Sequence, residues 1–138
     1  MSATTVWQGL EERYRTIAGL GSVELGEPTG DMALPCLYTV YGSFERPLRN
    51  SPPAHNQTGM KHILGTRLVI QWVDFQAAEM TLFTLIDLIP AAIERDPHLG
   101  GRLNAGAAYC ASGISGHATI GGTLYRVVDY EVTILEKI

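Results

Sequence analysis

The sequence predicts an α+β domain: a mostly antiparallel four-stranded sheet with two main helices packed on it and one long loop between the first two strands. Three observations predict it. Apolar residues recur at helical spacing in two stretches, four others read as strands from alternation and residue type, and Gly- and Pro-rich segments separate them. The resulting order, helix, strand, long loop, strand, helix, strand, strand, has this two-layer arrangement as its economical solution.

Residues 5–19 read as the first helix. Thr5 with Gln8 makes a capping box, Trp7, Leu10, Tyr14 and Ile17 form the apolar stripe, and Glu11, Glu12, Arg13 and Arg15 cover the other face. Gly19 and Gly21 stop it. Residues 22–35 read as loop, with Gly26, Pro28, Gly30 and Pro35, and carry Glu24, Glu27 and Asp31 without a cation. A strand follows at 36–44, where Tyr38, Val40 and Phe44 mix with Thr39 and Tyr41. From Arg46 to Gly65 the chain holds Pro47, Asn50, Pro52, Pro53, Asn56 and Gly59, which predicts a flexible loop over about 45–64. Strand returns at 66–73, with Leu68, Ile70 and Trp72 on one face and Arg67, Val69, Gln71 and Val73 on the other.

Asp74 is placed to cap the second helix. Phe75, Ala78, Leu82, Leu85, Ile86, Ile89 and Ile93 form its stripe, and Met80, Phe83 and Leu88 widen it, which predicts burial on more than one side. Pro90 lacks a backbone donor and crowds the preceding turn, so a kink or break is expected near residues 86–90. Asp96-Pro97-His98-Leu99-Gly100-Gly101 ends the helix. Residues 105–114 and 123–135 read as strands. In the last, Leu124, Val128, Tyr130, Val132 and Ile134 share a face, with Arg126 the exception. Gly121-Gly122 suits a hairpin turn requiring positive φ.

At 138 residues the chain fits one domain, 1–138, able to bury a core without staples. Cys36 and Cys110 sit in apolar strand-like stretches and read as buried free thiols. Met1-Ser2-Ala3 runs directly into an amphipathic pattern, and no run of about 18 apolar residues is seen. A soluble protein made in a reducing cytoplasm is expected, with no membrane partner. A net charge of −4 argues against general nucleic-acid binding.

Chemistry-bearing constellations are thin. His55, His62, His98 and His117 lack metal-ligand spacing, and exposed histidine is the expectation. Gly113-Ile114-Ser115-Gly116-His117 lacks the setting of a nucleophile elbow and reads as a turn. Asp129 and Glu131 share a strand face, as alternating polar positions routinely do. Neither glycine pair belongs to a phosphate loop. No catalytic residue, cofactor or metal is therefore expected. One charge asymmetry remains. Between Gly42 and Gly65, Arg46, Arg49 and Lys61 stand against Glu45 alone, a local +2 that leaves −6 on the rest of a chain totalling −4. A basic loop and the acidic 22–35 loop are suited to attract across a head-to-tail contact, the geometry that closes rings. The candidate interface residues are accordingly Arg46, Arg49, Lys61, His62, Glu24, Glu27 and Asp31.

With these residues in view, the chain resembles the tail terminator (tail completion) proteins of long, non-contractile-tailed bacteriophages. The likeness runs through the order of elements. It is sharpest at Ile89-Pro90-Ala91-Ala92-Ile93, at Asp96 to Arg102, at Ile120 to Tyr130 with its Glu131-Val132-Thr133-Ile134-Leu135 ending, and at Leu34-Pro35 before the Tyr38–Tyr41 strand. The resemblance implies a structural subunit, not an enzyme, that forms a homo-oligomeric ring, usually a hexamer. Such a ring caps the finished tail tube, stops its polymerisation and provides the surface for head joining. It implies as partners the tail tube protein and a head-tail connector protein, with DNA passing through the lumen without specific binding. The location implied is the head-proximal end of the virion tail, and the host cytoplasm during assembly. A head-tail connector or neck adaptor, and a small-molecule-binding regulatory domain of ferredoxin-like type, are the alternatives.

Overall fold

The computed structural model describes residues 3–46, 58–103 and 106–137. The expected α+β class holds, but the sheet does not match a mostly antiparallel four-stranded one. It is a mixed sheet of five strands in the order β1-β2-β3-β5-β4, with β1 parallel to β2 and the other pairs antiparallel. The additional strand, β1 (Ser22–Leu25), lies inside the segment read as loop. It pairs with the start of β2 (Cys36–Glu45), from Ser22 opposite Cys36 to Leu25 opposite Thr39. Val23 is buried there, and the amides of Gly21 and Gly26 close the segment on the carbonyls of Pro35 and Thr39 at 2.7 and 2.8 Å. Four residues are too few for period-two patterning to emerge.

The first helix, α1 (Ala3–Tyr14), starts ahead of Thr5, so Thr5 lies within it rather than capping it. Val6, Leu10 and Tyr14 form its buried stripe, with Trp7 and Ile17 packed at the margin. The third strand, β3 (Thr58–Gln71), begins well before residue 66, so part of the expected 45–64 loop is sheet. His62, Leu64, Thr66, Leu68 and Ile70 alternate onto the helix-covered face and are all buried. Residues 47–57 of that segment, with Arg49 and His55, lie outside the described residues.

Asp74 caps α2 (Phe75–Leu85), accepting the Ala77 amide at 3.1 Å. The expected break falls between α2 and α3 (Leu88–Glu94). Pro90 has no N–H to offer the Ile86 carbonyl four residues back, and the Tyr130 hydroxyl donates to it instead at 2.9 Å. Length and composition alone make Phe75–Glu94 apolar enough to cross a membrane (mean hydropathy 1.3), contrary to the expectation that no such run exists. Ala78, Leu82, Leu85, Ile89, Ala92 and Ile93 are nonetheless buried in the protein core.

The chain ends in a long hairpin, β4 (Ala107–Ile120) and β5 (Thr123–Lys137). Its two-residue turn has Gly121 and Gly122 at φ of 58° and 83°, the left-handed conformations a twisted hairpin needs. The Gly113–His117 stretch, expected as a turn, lies inside β4. Arg126, the odd residue on the apolar face of β5, is held by Glu79 of α2 at 2.6 Å and by the Gly116 carbonyl at 2.8 Å.

Helices and sheet enclose the main core, which includes Leu37, Leu68, Val128, Val132 and Ile134. Within it the hydroxyls of Tyr14, Thr66 and Thr39 satisfy one another at 2.9 and 3.0 Å. On the opposite face a smaller cluster, Cys36, Tyr38, Val69, Ile120 and Val127, is roofed by Met32 and Leu34. Beyond that roof no element covers the sheet face among the described residues.

Candidate assembly surfaces

The expected interface residues do not form one surface. Glu24 is exposed on β1 opposite Tyr38, and Glu27 and Asp31 are exposed in the segment that follows. Arg46 is exposed just past the other end of β2. Lys61 sits on β3 opposite Glu45, with 3.9 Å between their charged atoms. From Tyr38 to Glu45 is roughly 23 Å of strand at about 3.3 Å per residue. Acids and cations thus occupy opposite ends of the same side of the sheet, and Lys61 already has an acid beside it.

His62 is not a surface residue. It is 1% exposed, with its Nδ1 2.5 Å from the Tyr41 hydroxyl and its Nε2 3.4 Å from Glu136 Oε2. Burial, and then the charge of Glu136, push the Tyr41 phenol up, so it keeps its proton in this contact. This joins β2, β3 and β5 at one end of the sheet, and its role is structural.

Several other ionisable groups are engaged in contacts within the fold. Arg67 binds Asp129 through two bonds of 2.6 and 3.1 Å, across β3 and β5 on the open face. That leaves Glu131 without Asp129 as a partner in a paired-carboxylate site. Burial raises both thiols, Cys36 and Cys110, which keeps them protonated and weak as nucleophiles. His98 Nδ1 lies 2.9 Å from the Gly106 carbonyl, and His117 packs edge-on against Trp72. Among the described residues no group of three or more His, Cys, Asp or Glu is placed to hold a metal.

Among the described residues the sheet has two open edges, which no single residue signals. β4 ends the sheet, and its sequence holds no Asp, Glu, Lys, Arg or Pro, the residues that usually guard an edge. Near its start the Ala108 amide turns away from β5 to the Pro97 carbonyl at 2.8 Å. Beyond the bulge between Cys110 and Ser112, no backbone partner on the outer side is found among the described residues. Ile120 and Thr123 close the two-residue turn as a hydrogen-bonded pair, so alternation turns the backbone groups of Gly113, Ser115, His117 and Thr119 outward. Ile114 is 76% exposed on the open face of this strand.

The second edge is the far half of β2. Strand β1 covers only Cys36–Thr39, and Gly26 leads the chain away at φ 79°. From Val40 to Glu45 no strand lies on that side among the described residues, and Val40, Tyr41 and Phe44 are exposed. Beside this edge, Trp7, Leu25, Tyr41 and Leu64 line an apolar cavity of about 230 Å³. A shallow groove of about 470 Å³ crosses the open face over Gly42, Gly65, Glu131 and Ser112, linking the two edges. Val73, Phe75, Met80 and Phe83 add exposed apolar area at the start and outer side of α2.

No protein-family model matches the chain, and no curated protein matches it.

Proposed function

We propose that this protein is a ring-forming structural subunit of a phage virion, a tail terminator. In this reading it caps the finished tail tube, stops its polymerisation and provides the surface to which the head is joined. The observation that carries the proposal is the pair of open, apolar-rimmed edges on opposite sides of one rigid sheet. Those edges suit repeated copy-to-copy contact, and the sequence resemblance supplies the biological setting. Arg67, Asp129, Arg126 and Glu79 support it as well, being tied to one another in ion pairs within the fold.

A small-molecule site is less well supported. The cavity beside β2 is smaller than the roughly 300–1,000 Å³ of ordinary ligand pockets and no charged residue lines it, while the groove of about 470 Å³ on the open face is shallow and open to solvent. In the proposed ring DNA passes through the lumen without specific binding, consistent with a subunit charge of −4.

Electron microscopy of the purified protein with tail tube subunits tests the function. Closed rings and tubes of arrested length with a ring at one end are expected. Tubes that stay uncapped, with no ring at any protein concentration, would overturn it.

A further inference from the structure

We infer that copies of this chain join by strand addition: the β4 edge of one subunit pairs antiparallel with the Val40–Glu45 edge of the next. The inference rests on the ring-forming reading above and names the partner surface, a second copy of this chain. Backbone groups on an open edge are ready for pairing, and alternate side chains then decide which strand fits.

Three observations select a second copy as the occupant. The first is direction. β2 and β5 run one way and β3 and β4 the other, so subunits placed side by side bring β4 against β2 in antiparallel sense, helices on the same face. The second is length. Gly113–Ile120 is long enough to span the whole of Val40–Glu45, the stretch that β1 leaves uncovered. The third is side-chain character. In that arrangement an edge that exposes Ile114 meets one that exposes Val40, Tyr41 and Phe44, so apolar groups on both sides are covered. The small residues Gly113, Ser115 and Gly116 allow close approach, and β4 brings no Asp, Glu, Lys or Arg into the contact. The added strand also runs along the rim of the cavity lined by Trp7, Leu25 and Tyr41.

The contact is heterologous, so it repeats from copy to copy and closes into a ring or continues as a filament. It differs from attraction between the acidic and basic segments, which lie on one side of the subunit rather than on two.

Two variants of the full chain test the inference. Ser115→Pro removes one outward amide from β4, at a position where an edge strand tolerates proline. It should leave the circular dichroism spectrum unchanged while weakening association by about tenfold or more, read by sedimentation. The second is a cysteine pair in a Cys110→Ser background, Ser43→Cys with Ser112→Cys, Ile114→Cys or Gly116→Cys in turn. Oxidation should give a ladder of linked multimers from at least one pair and none from either cysteine alone. This arm decides the matter if Ser115→Pro fails to fold. Linked dimers from a β4 cysteine alone would mean twofold β4–β4 pairing and overturn the inference. Normal rings with Ser115→Pro folded and no ladder from any pair would overturn it while leaving the ring reading intact. Absence of association by the wild-type chain at any concentration would remove the ring reading, and this inference with it.

Discussion

At the scale of single residues, several side chains exist to complete another residue's backbone or to fit around it. Tyr130 shows this best, because its hydroxyl replaces the donor that Pro90 cannot supply to Ile86. Tyr130→Phe should therefore cost about 1–3 kcal/mol, the usual penalty for stranding a partly buried acceptor. In a Pro90→Ala background the new amide serves Ile86, and the same substitution should cost distinctly less. Urea denaturation of the four proteins measures the coupling, and equal costs in both backgrounds would refute the replacement argument. Gly9 makes a different case. A Cβ there would lie 2.7 Å from the Leu99 Cβ, where α1 presses on the turn after α3. Gly9→Ala gains about 1 kcal/mol in helix propensity, but overpacking typically costs about 1–3 kcal/mol. Net destabilisation is expected, seen as a lower melting temperature.

At the scale of elements, α1 is tied to the 96–103 turn by Glu12 and Arg102, with bonds of 2.8 and 3.0 Å. Hydrogen bonding to Arg102, and then its charge, hold the Glu12 carboxyl below its ordinary value of 4.5. The folded state thus favours the ionised form, so the contribution is present above 4.5 and lost as pH falls through the lowered value. Glu12→Gln should lower the urea midpoint at neutral pH, by a small amount since the pair is exposed, and the gap should close in acid. Elements with enough length were legible in the sequence: α1, the broken second helix, the start of β2 and the final hairpin with its glycine turn. Those that escaped did so for physical reasons. β1 has four residues and is fixed by a parallel partner across a loop. The start of β3 was hidden because its alternation runs through His62, a polar residue buried by Tyr41 and the neighbouring Glu136. Glu24, Glu27, Asp31 and Arg46 are exposed, but the edges were not legible, since an edge belongs to strand order and to no single residue.

For the whole molecule the question is what force holds one copy to the next. Charge attraction between acidic and basic segments and backbone pairing between open edges predict opposite responses to salt. Exposed ion pairs weaken as the screening length falls from roughly 14 Å at about 0.05 M to roughly 4 Å at about 0.5 M salt. Edge pairing draws on backbone hydrogen bonds and on Ile114 and Val40, none of which carries charge. Each subunit meanwhile brings a net −4 to the assembly, a repulsion that salt relieves. Placement of the acids and the cations on one side of the sheet favours the second mechanism. Sedimentation velocity across that salt range should therefore show association unchanged or stronger at high salt. Rings that dissociate as salt rises would return the contact to Glu24, Glu27, Asp31 and the cations Arg46 and Lys61. In that case Ser115→Pro should leave association untouched, so the two measurements together separate a contact made by charges from one made by the sheet.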